Sequence, residues 1–483
     1  MKIGCTRRRV APATLNCCSS RSAGRSQGRR SRRASARGTL TASWRGGYQR
    51  CIRTFDLTIK PAGLNCLSEQ VPPFTHYPSL LAGPARLLPL LLPTVLVTRH
   101  RDVVDVLRNY ELFSSSSPQL SLLGKLDPFA GSQIMLFSDP PVHTRLKRLV
   151  TPYFRRGRIN LLTPRIQTLT NQLLDNIESK AEFDAVSDLA CPVTLAIIAE
   201  ILGIPIEHQP MLKALADRVF SSVRESLMLA GAFLTGRPDT SGSNGATWRH
   251  DFFPSRAIES SVHDSSADAI ATLRSYFIEE ISQRRASPGD DLISVLVSAQ
   301  TETDTLRLDD LLALVLLLLF AGDTTTNLIA NGLLALSTHP DQLRRLGLAL
   351  EVLTPNAVEE VLRYDSPVQM VMRFCTRDTH IGETAVPGGA VVLVLIGAAN
   401  RDPAQFYAPD SFDIARHPNN HVAFGDGIHA CIGAHLARLQ GRIVLGSVVE
   451  RFSRLRLSAP EQPLHYDGYL LSRGLTSLPM VID

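Results

Sequence analysis

Cysteine, tryptophan and aromatic residues are scarce in this 483-residue chain, which has eight cysteines, two tryptophans and 6% aromatic residues. Half of the cysteines fall in the first 55 residues, and the rest are scattered without regular spacing: Cys66, Cys191, Cys375 and Cys431. This excludes a disulfide scaffold and favours free thiols in a reducing compartment. Because 44% of the residues are hydrophobic, bulk disorder is excluded as well.

Acidic residues are missing from residues 1–55, which hold fourteen of the 51 Lys and Arg residues. Residues 56–483 therefore carry 37 basic against 45 acidic side chains, a net charge of −8. Such an Arg- and Ser-rich segment buries too little apolar surface to fold. It is a targeting peptide, a basic disordered arm or a start codon placed too early. Without interleaved aromatic residues it does not predict nucleic-acid binding, and we expect one catalytic domain over 56–483.

Long apolar runs are also missing. The longest, Leu311 to Gly322, has twelve residues, whereas a membrane span needs roughly twenty. The sequence therefore predicts no transmembrane segment and a cytoplasmic protein.

Helical periodicity dominates what is present. We predict a strand at Thr94–Thr98, a helix beginning at Asp139 with Pro140 in its first turn, a long helix over Leu308–Leu336 and a last helix over Ile432–Arg451. Strand patterns are few and short. The predicted fold class is mostly α with a small β lobe, an α+β arrangement.

The densest chemical signal is the glycine-punctuated segment from Phe424 to Gly433, which delivers Cys431 to the start of the last helix. A thiolate there is stabilised by the helix dipole and by unpaired backbone N–H groups, so it is suited to bind iron. Gly425 and Gly427 would let the backbone turn beneath a flat cofactor, and Gly433 would allow close approach of the helix. The alternative is a buried structural cysteine.

This segment resembles the haem-binding loop of the cytochrome P450 family of haem-thiolate monooxygenases, Phe-Gly-x-Gly-x-His/Arg-x-Cys-x-Gly. The resemblance covers about residues 94–475 and implies the P450 fold, with haem b (iron protoporphyrin IX) ligated by the Cys431 thiolate. The family also has Glu-x-x-Arg upstream, which Glu360 and Arg363 supply. Residues three apart share a helical face, so this pair can brace the core beside the cysteine.

The centre of the long helix changes from Phe320-Ala321-Gly322 to Asp323-Thr324-Thr325-Thr326. Polar and branched residues are unfavourable inside so apolar a helix, and we expect them to distort it. The segment resembles the family's oxygen-binding groove, Ala-Gly-x-acid-Thr, in two registers. Either Asp323 and Thr324 form the acid–alcohol pair that relays protons, or Ala321 keeps its register and Thr325 replaces the alcohol. The downstream residues favour the first register.

The resemblance places partners of the haem propionates at His143, Lys147, Arg373 and His429. Lys147 stands where the family commonly has arginine, and it supplies charge without a bidentate fork. Basic residues crowd the same region without an intervening acid: Arg145, Lys147, Arg148, Arg155, Arg156, Arg158 and Arg165. This is either a docking face for an acidic redox partner or ordinary solvated helix surface.

No Gly-x-Gly-x-x-Gly follows a strand, so electrons are expected from a separate ferredoxin or flavodoxin with its reductase. The resemblance implies insertion of one oxygen atom from O2 into an apolar small molecule. By family layout its pocket is expected at Ser114–Met135, Phe233–Ile258, Leu317–Gly322, Val368–Met372 and Leu470–Leu475.

Two alternative functions remain open at this point. One is a haem-thiolate protein that uses peroxide directly or senses a gas. The other is a zinc-binding regulatory or structural module, because five residues of zinc-ligand type crowd one segment: His417, His421, His429, Cys431 and His435.

Overall fold

The structure is a computed structural model that describes residues 93–116, 133–180, 182–219, 256–298, 307–452, 454–466 and 471–482. For residues 256–267 and for Phe320 only the backbone is described. The basic segment 1–55 lies outside the described residues. So do residues 117–132, 233–255 and 470, which belong to the expected pocket segments.

Twelve helices account for most of the described residues. In chain order they are α1 (His100–Arg108), α2 (Val142–Val150), α3 (Arg156–Asn160), α4 (Thr163–Glu178), α5 (Cys191–Leu202), α6 (Arg256–Ala286), α7 (Leu292–Ser298), α8 (Leu308–Thr338), α9 (Pro340–Leu348), α10 (Leu350–Tyr364), α11 (Ile396–Ala399) and α12 (Ala434–Arg451). Residues 209–219 are also helical.

Nine short strands make three small sheets in the described residues. They are β1 (Thr94–Val97), β2 (Phe113–Ser114), β3 (Glu182–Asp184), β4 (Val371–Cys375), β5 (Thr379–Ile381), β6 (Thr384–Val386), β7 (Val391–Val394), β8 (Leu455–Leu457) and β9 (Pro479–Ile482). The four-stranded sheet has the order β1-β7-β4-β2, in which β1 and β7 are parallel and the other neighbours antiparallel. The other two sheets, β3-β9-β8 and β5-β6, are antiparallel.

The described residues form two hydrophobic cores, one among the helices and one beside the four-stranded sheet. The larger core surrounds α8, whose Val315, Ile329 and Leu333 are fully buried against neighbouring helices. The smaller core lies between α1 and the four-stranded sheet and includes Val103 and Val392. The predicted arrangement of a helical body with a small β lobe is therefore observed.

The helix predicted from Asp139 begins instead at Val142. The Asp139 carboxylate does not cap it, because that group accepts hydrogen bonds from the Ser115 amide at 3.1 Å and the Ser114 hydroxyl. Asp139 contributes its carbonyl instead, which accepts the amide N–H of His143 at 3.0 Å. A tertiary contact thus shifts the start of this helix.

The long helix α8 is α-helical without interruption from Leu308 to Thr338, including the threonines at which we expected a distortion. Their hydroxyls are satisfied by the helix itself: Thr324 donates to the Ala321 carbonyl at 3.1 Å, and Thr326 donates to the Gly322 carbonyl at 3.2 Å. Such back-bonding lets polar residues sit in an apolar helix without opening it.

Two helical stretches, Ala185–Leu202 and Leu308–Thr338, are long and apolar enough by length and composition to cross a membrane. The apolar windows are 61% and 65% buried inside the protein. Helices of a protein core have this property too, and the twelve-residue apolar run Leu311–Gly322 lies inside the second stretch.

Candidate functional site

The cysteine loop is tightly folded before α12. The Cys431 amide donates to the Phe424 carbonyl at 2.9 Å, and the Gly425 amide donates to the Val422 carbonyl at 2.8 Å. Gly425 and Gly427 have φ angles of 70° and 67°, in the left-handed region that favours glycine. A Cβ atom on Gly427 would lie 2.5 Å from the Leu107 carbonyl oxygen, so the loop packs directly on the end of α1.

The Cys431 side chain is solvent-accessible but closely surrounded by protein atoms. Desolvation raises the pKa of its thiol, although hydrogen bonding by the Gly433 amide and the charge of Lys147 oppose this. A bound metal cation would reverse this balance and favour the thiolate. The loop thus presents one reachable sulfur in an enclosed setting, which fits the axial ligand of a haem.

Basic side chains converge beside the loop from three elements. The rings of His143 on α2 and His429 lie 4.3 Å apart. Desolvation lowers the pKa of Arg373, on β4, to about 10. Desolvation and the positive charges of Arg373, His143 and Lys147 lower the pKa of His429 to about 3. Buried His429 Nε2 has no hydrogen-bond partner. A cluster of hydrogen-bond donors that includes a buried arginine and an unsatisfied imidazole nitrogen fits anionic groups such as haem propionates.

Lys147 contacts the loop itself. Its ammonium donates to the Ile428 carbonyl at 2.5 Å and lies 3.3 Å from the Ala430 carbonyl, while desolvation lowers its pKa. The structure therefore brings Lys147 next to the other predicted propionate partners and also gives it a role in holding the loop backbone.

The Glu-x-x-Arg pair is completely buried. Arg363 donates to both carboxylate oxygens of Glu360 at 2.8 Å, and both side chains are 0% exposed. Arg416 donates to the same carboxylate at 3.0 and 3.1 Å. Arg363 also donates to backbone carbonyls of the segment before the loop: Asn400, Pro409 and Ser411. The pair is thus a buried anchor for this segment, and Arg416 carried no sequence signal that would have identified it.

A second charged network was also missed. Arg438 makes two hydrogen bonds to Glu359, at 2.7 and 2.8 Å, and its guanidinium carbon lies 4.5 Å from the centroid of the Phe424 ring. Burial raises the pKa of Glu359, but hydrogen bonds from His421 and Arg438 outweigh it and bring the pKa to about 2. Arg438 lies on α12, seven residues after Cys431, and its partner Glu359 lies on another helix, so sequence spacing carries no signal for this pair.

The centre of α8 presents a mixed surface. Ala321 is exposed and Thr324 partly exposed, whereas Thr325 is only 7% exposed. The Asp323 carboxylate is 48% exposed and lies 3.9 Å from the Lys213 ammonium. The hydroxyl groups of Thr326 and Thr194 on α5 are 2.6 Å apart and hydrogen-bonded.

The described residues contain no group of three or more His, Cys, Asp or Glu that could hold a metal ion. His421 instead contacts Glu359 at 3.1 Å, and His429 stacks beside His143. The five residues on which the zinc hypothesis rested are not gathered into one coordination site.

Comparison with known proteins gives consistent matches. The family model described as Cytochrome P450 matches residues 86–478. The chain is 34% identical over 397 residues to Cytochrome P450 107B1 of Saccharopolyspora erythraea, covering 80% of this chain and 88% of that protein. It is 35% identical over 354 residues to the 6-deoxyerythronolide B hydroxylase of the same organism, covering 72% and 77%.

Among solved structures, P450BioI in complex with an acyl carrier protein carrying hexadec-9Z-enoic acid is similar, with a TM-score of 0.69 and 30% identity. The match covers 85% of this chain and 98% of that one. Sequence, fold and loop geometry agree. The chain therefore belongs to the cytochrome P450 family of haem-thiolate oxidoreductases, whose members carry haem b.

Proposed function

We propose that this protein is a monooxygenase in which the Cys431 thiolate ligates haem b and one oxygen atom of O2 is inserted into an apolar small molecule. Membership of the family supports the reaction class. The observation that carries the assignment to these residues is the accessible Cys431 thiol in a loop that Lys147 contacts and that includes His429, whose buried Nε2 has no hydrogen-bond partner and whose ring lies 4.3 Å from that of His143.

Haem, when bound, supplies the redox chemistry that activates dioxygen. Cys431 would hold its iron, Lys147 and Arg373 would supply positive charge to the propionates, and His143 and His429 would donate hydrogen bonds to them. Phe424, Gly425 and Gly433 shape the loop. Glu360 and Arg363 fix the segment behind it, which keeps the sulfur in place during turnover.

Asp323 and Thr324, at the centre of α8, would hold and pass on protons. The half-exposed Asp323 carboxylate exchanges protons with solvent beside Lys213, and the Thr324 hydroxyl lies one turn from accessible Ala321. Thr325 is buried, which favours Thr324 as the alcohol of the relay.

The substrate is an apolar small molecule. Partly exposed apolar side chains from two of the expected pocket segments support this: Leu317, Val368, Val371 and Met372. Similar proteins include the 6-deoxyerythronolide B hydroxylase and a vitamin D(3) 25-hydroxylase of Pseudonocardia autotrophica.

Electrons come from a separate acidic ferredoxin or flavodoxin with its reductase. Three exposed arginines near α2, namely Arg148, Arg155 and Arg156, give this surface the charge that steers such a partner. We also place the protein in the cytoplasm without a membrane span, because its two long apolar helices are mostly buried in the core.

The absorption spectrum of the reduced protein with carbon monoxide tests the proposal. We expect the red-shifted Soret band of thiolate-ligated haem, and we expect Cys431→Ser to abolish it. Cys191→Ser is the matched control, because Cys191 lies at the start of α5, and this variant should keep the band. A colourless wild type, or a Cys431→Ser variant that retains the band, would overturn the assignment.

A further inference from the structure

The Glu359–Arg438 ion pair lies directly behind the cysteine loop, and the proposed function does not use it. The Arg438 guanidinium covers the face of the Phe424 ring at 4.5 Å and binds both Glu359 oxygens. A cation over an aromatic face attracts the ring and restrains its position. Phe424 is therefore held by a charge that is itself anchored on α10.

His421 completes this anchor. Its Nδ1 accepts the Ala423 amide N–H at 3.2 Å, so Nε2 carries the proton donated to Glu359 at 3.1 Å. The Glu359 and Arg438 side chains are only 23% and 30% exposed. One anion and one cation thus balance each other in a partly shielded position next to the loop.

Phe424 links this pair to the proposed metal ligand. Its carbonyl accepts the Cys431 amide N–H at 2.9 Å, which closes the loop beneath the sulfur. We infer that Glu359 and Arg438 are positioning residues that set the reduction potential of the haem iron, by balancing charge beside Cys431 and by holding Phe424. This inference rests on the proposed function, since it takes Cys431 as the ligand.

Charge balance predicts opposite effects from the two halves of the pair. Removal of Arg438 leaves the Glu359 anion, which stabilises the oxidised iron and lowers the potential. Removal of Glu359 leaves the Arg438 cation, which stabilises the reduced iron and raises the potential. Removal of both restores neutrality. Since the pair is partly exposed, solvent and salt reduce these effects without changing their sign.

The experiment is spectroelectrochemical titration of the substrate-free holoprotein for Arg438→Met, Glu359→Gln and the double variant. We expect the reduction equilibrium to shift about fivefold in opposite directions for the single variants, or about 40 mV each at 59 mV per tenfold. The double variant should lie within about twofold of the wild type. A purely structural brace would move both single variants in the same direction, and that result would overturn the inference.

Matched controls are Arg165→Met and Glu200→Gln, which break a half-exposed Arg–Glu pair at 3.0 Å between α4 and α5. Neither should move the potential. If Arg438→Met does not retain haem, the potential of Glu359→Gln still tests the inference, because this variant keeps the Arg438 cation over the Phe424 ring. An unchanged or lowered potential in Glu359→Gln refutes the inference. The proposed function is tested separately by the carbon monoxide spectrum of the wild type. Its failure can therefore be told apart from failure of this inference.

Discussion

The network around Glu360 and the centre of α8 each contain a carboxylate, but the two carboxylates differ in how deeply they are buried. Glu360 is fully buried and accepts hydrogen bonds from the side chains of Arg363, Arg416 and Asn419. Asp323 is half exposed, with the Lys213 ammonium 3.9 Å away. A buried anion is tolerated only when several donors compensate it. The Glu360 network is thus a fixed support for the segment before the cysteine loop, whereas the α8 acid remains accessible to solvent.

The largest effect is expected at the buried carboxylate. Glu360→Gln removes the anion shared by Arg363 and Arg416, leaving two guanidinium groups uncompensated in the interior. The free energy of unfolding should fall by roughly 3–5 kcal/mol. Chemical denaturation of the holoprotein measures this. The same substitution at half-exposed Glu200 should cost less than about 1 kcal/mol. Equal losses at the two positions would contradict the comparison.

A smaller loss is expected from the loop glycine. Gly427→Ala places a Cβ in a left-handed conformation and 2.5 Å from the Leu107 carbonyl oxygen, a backbone atom with little freedom to move. We expect a cost of about 1–3 kcal/mol in stability and weaker retention of haem. Thermal unfolding and haem-transfer rates measure the two effects. Gly157→Ala, where nothing lies within 4 Å of the added Cβ, is the control; it should lower neither stability nor haem retention, because alanine is favoured over glycine within α3.

The smallest effect on stability, but a clear one on activity, is expected in α8. Thr324→Val should leave the fold intact and reduce product formed per electron consumed by at least about tenfold, because it removes the hydroxyl that we propose relays protons. For Thr325→Val, the product formed per electron consumed should stay within about twofold of the wild-type value. The measurement is product and reductant stoichiometry with a ferredoxin system. A larger loss in Thr325→Val than in Thr324→Val would identify Thr325 as the alcohol of the relay. Normal product formation by Thr324→Val with peroxide in place of O2 and reductant would show that only the relay is lost.

Much of the fold was predictable because helical periodicity is local. The helix predicted over Leu308–Leu336 is observed at Leu308–Thr338, and the last helix, predicted from Ile432, starts at Ala434. The start predicted at Asp139 was wrong, because Ser114 and Ser115 occupy its carboxylate. The family, the fold class and the cofactor class were all confirmed by the comparisons.

The partners of the site residues were less predictable. Glu360 and Arg363 were recognised as a pair by their spacing on one helix, but Arg416 joins them from a position 56 residues from Glu360. Lys213, near Asp323, likewise belongs to a different helical segment from α8. Spacing indicates neighbours only within one element, so contacts between elements could not be read from it.

By itself, the amino-acid sequence determined the identity of the cysteine loop, the glycines that its turns require and the helices around it, since each depends on residues close together in the chain. Only the tertiary structure decided which charges meet. It gathered His143, Arg373 and His429 beside Cys431 and placed the Glu359–Arg438 pair against Phe424. The physical reason is that the strength of a charge depends on its burial and on its neighbours in space, and the folded chain sets both.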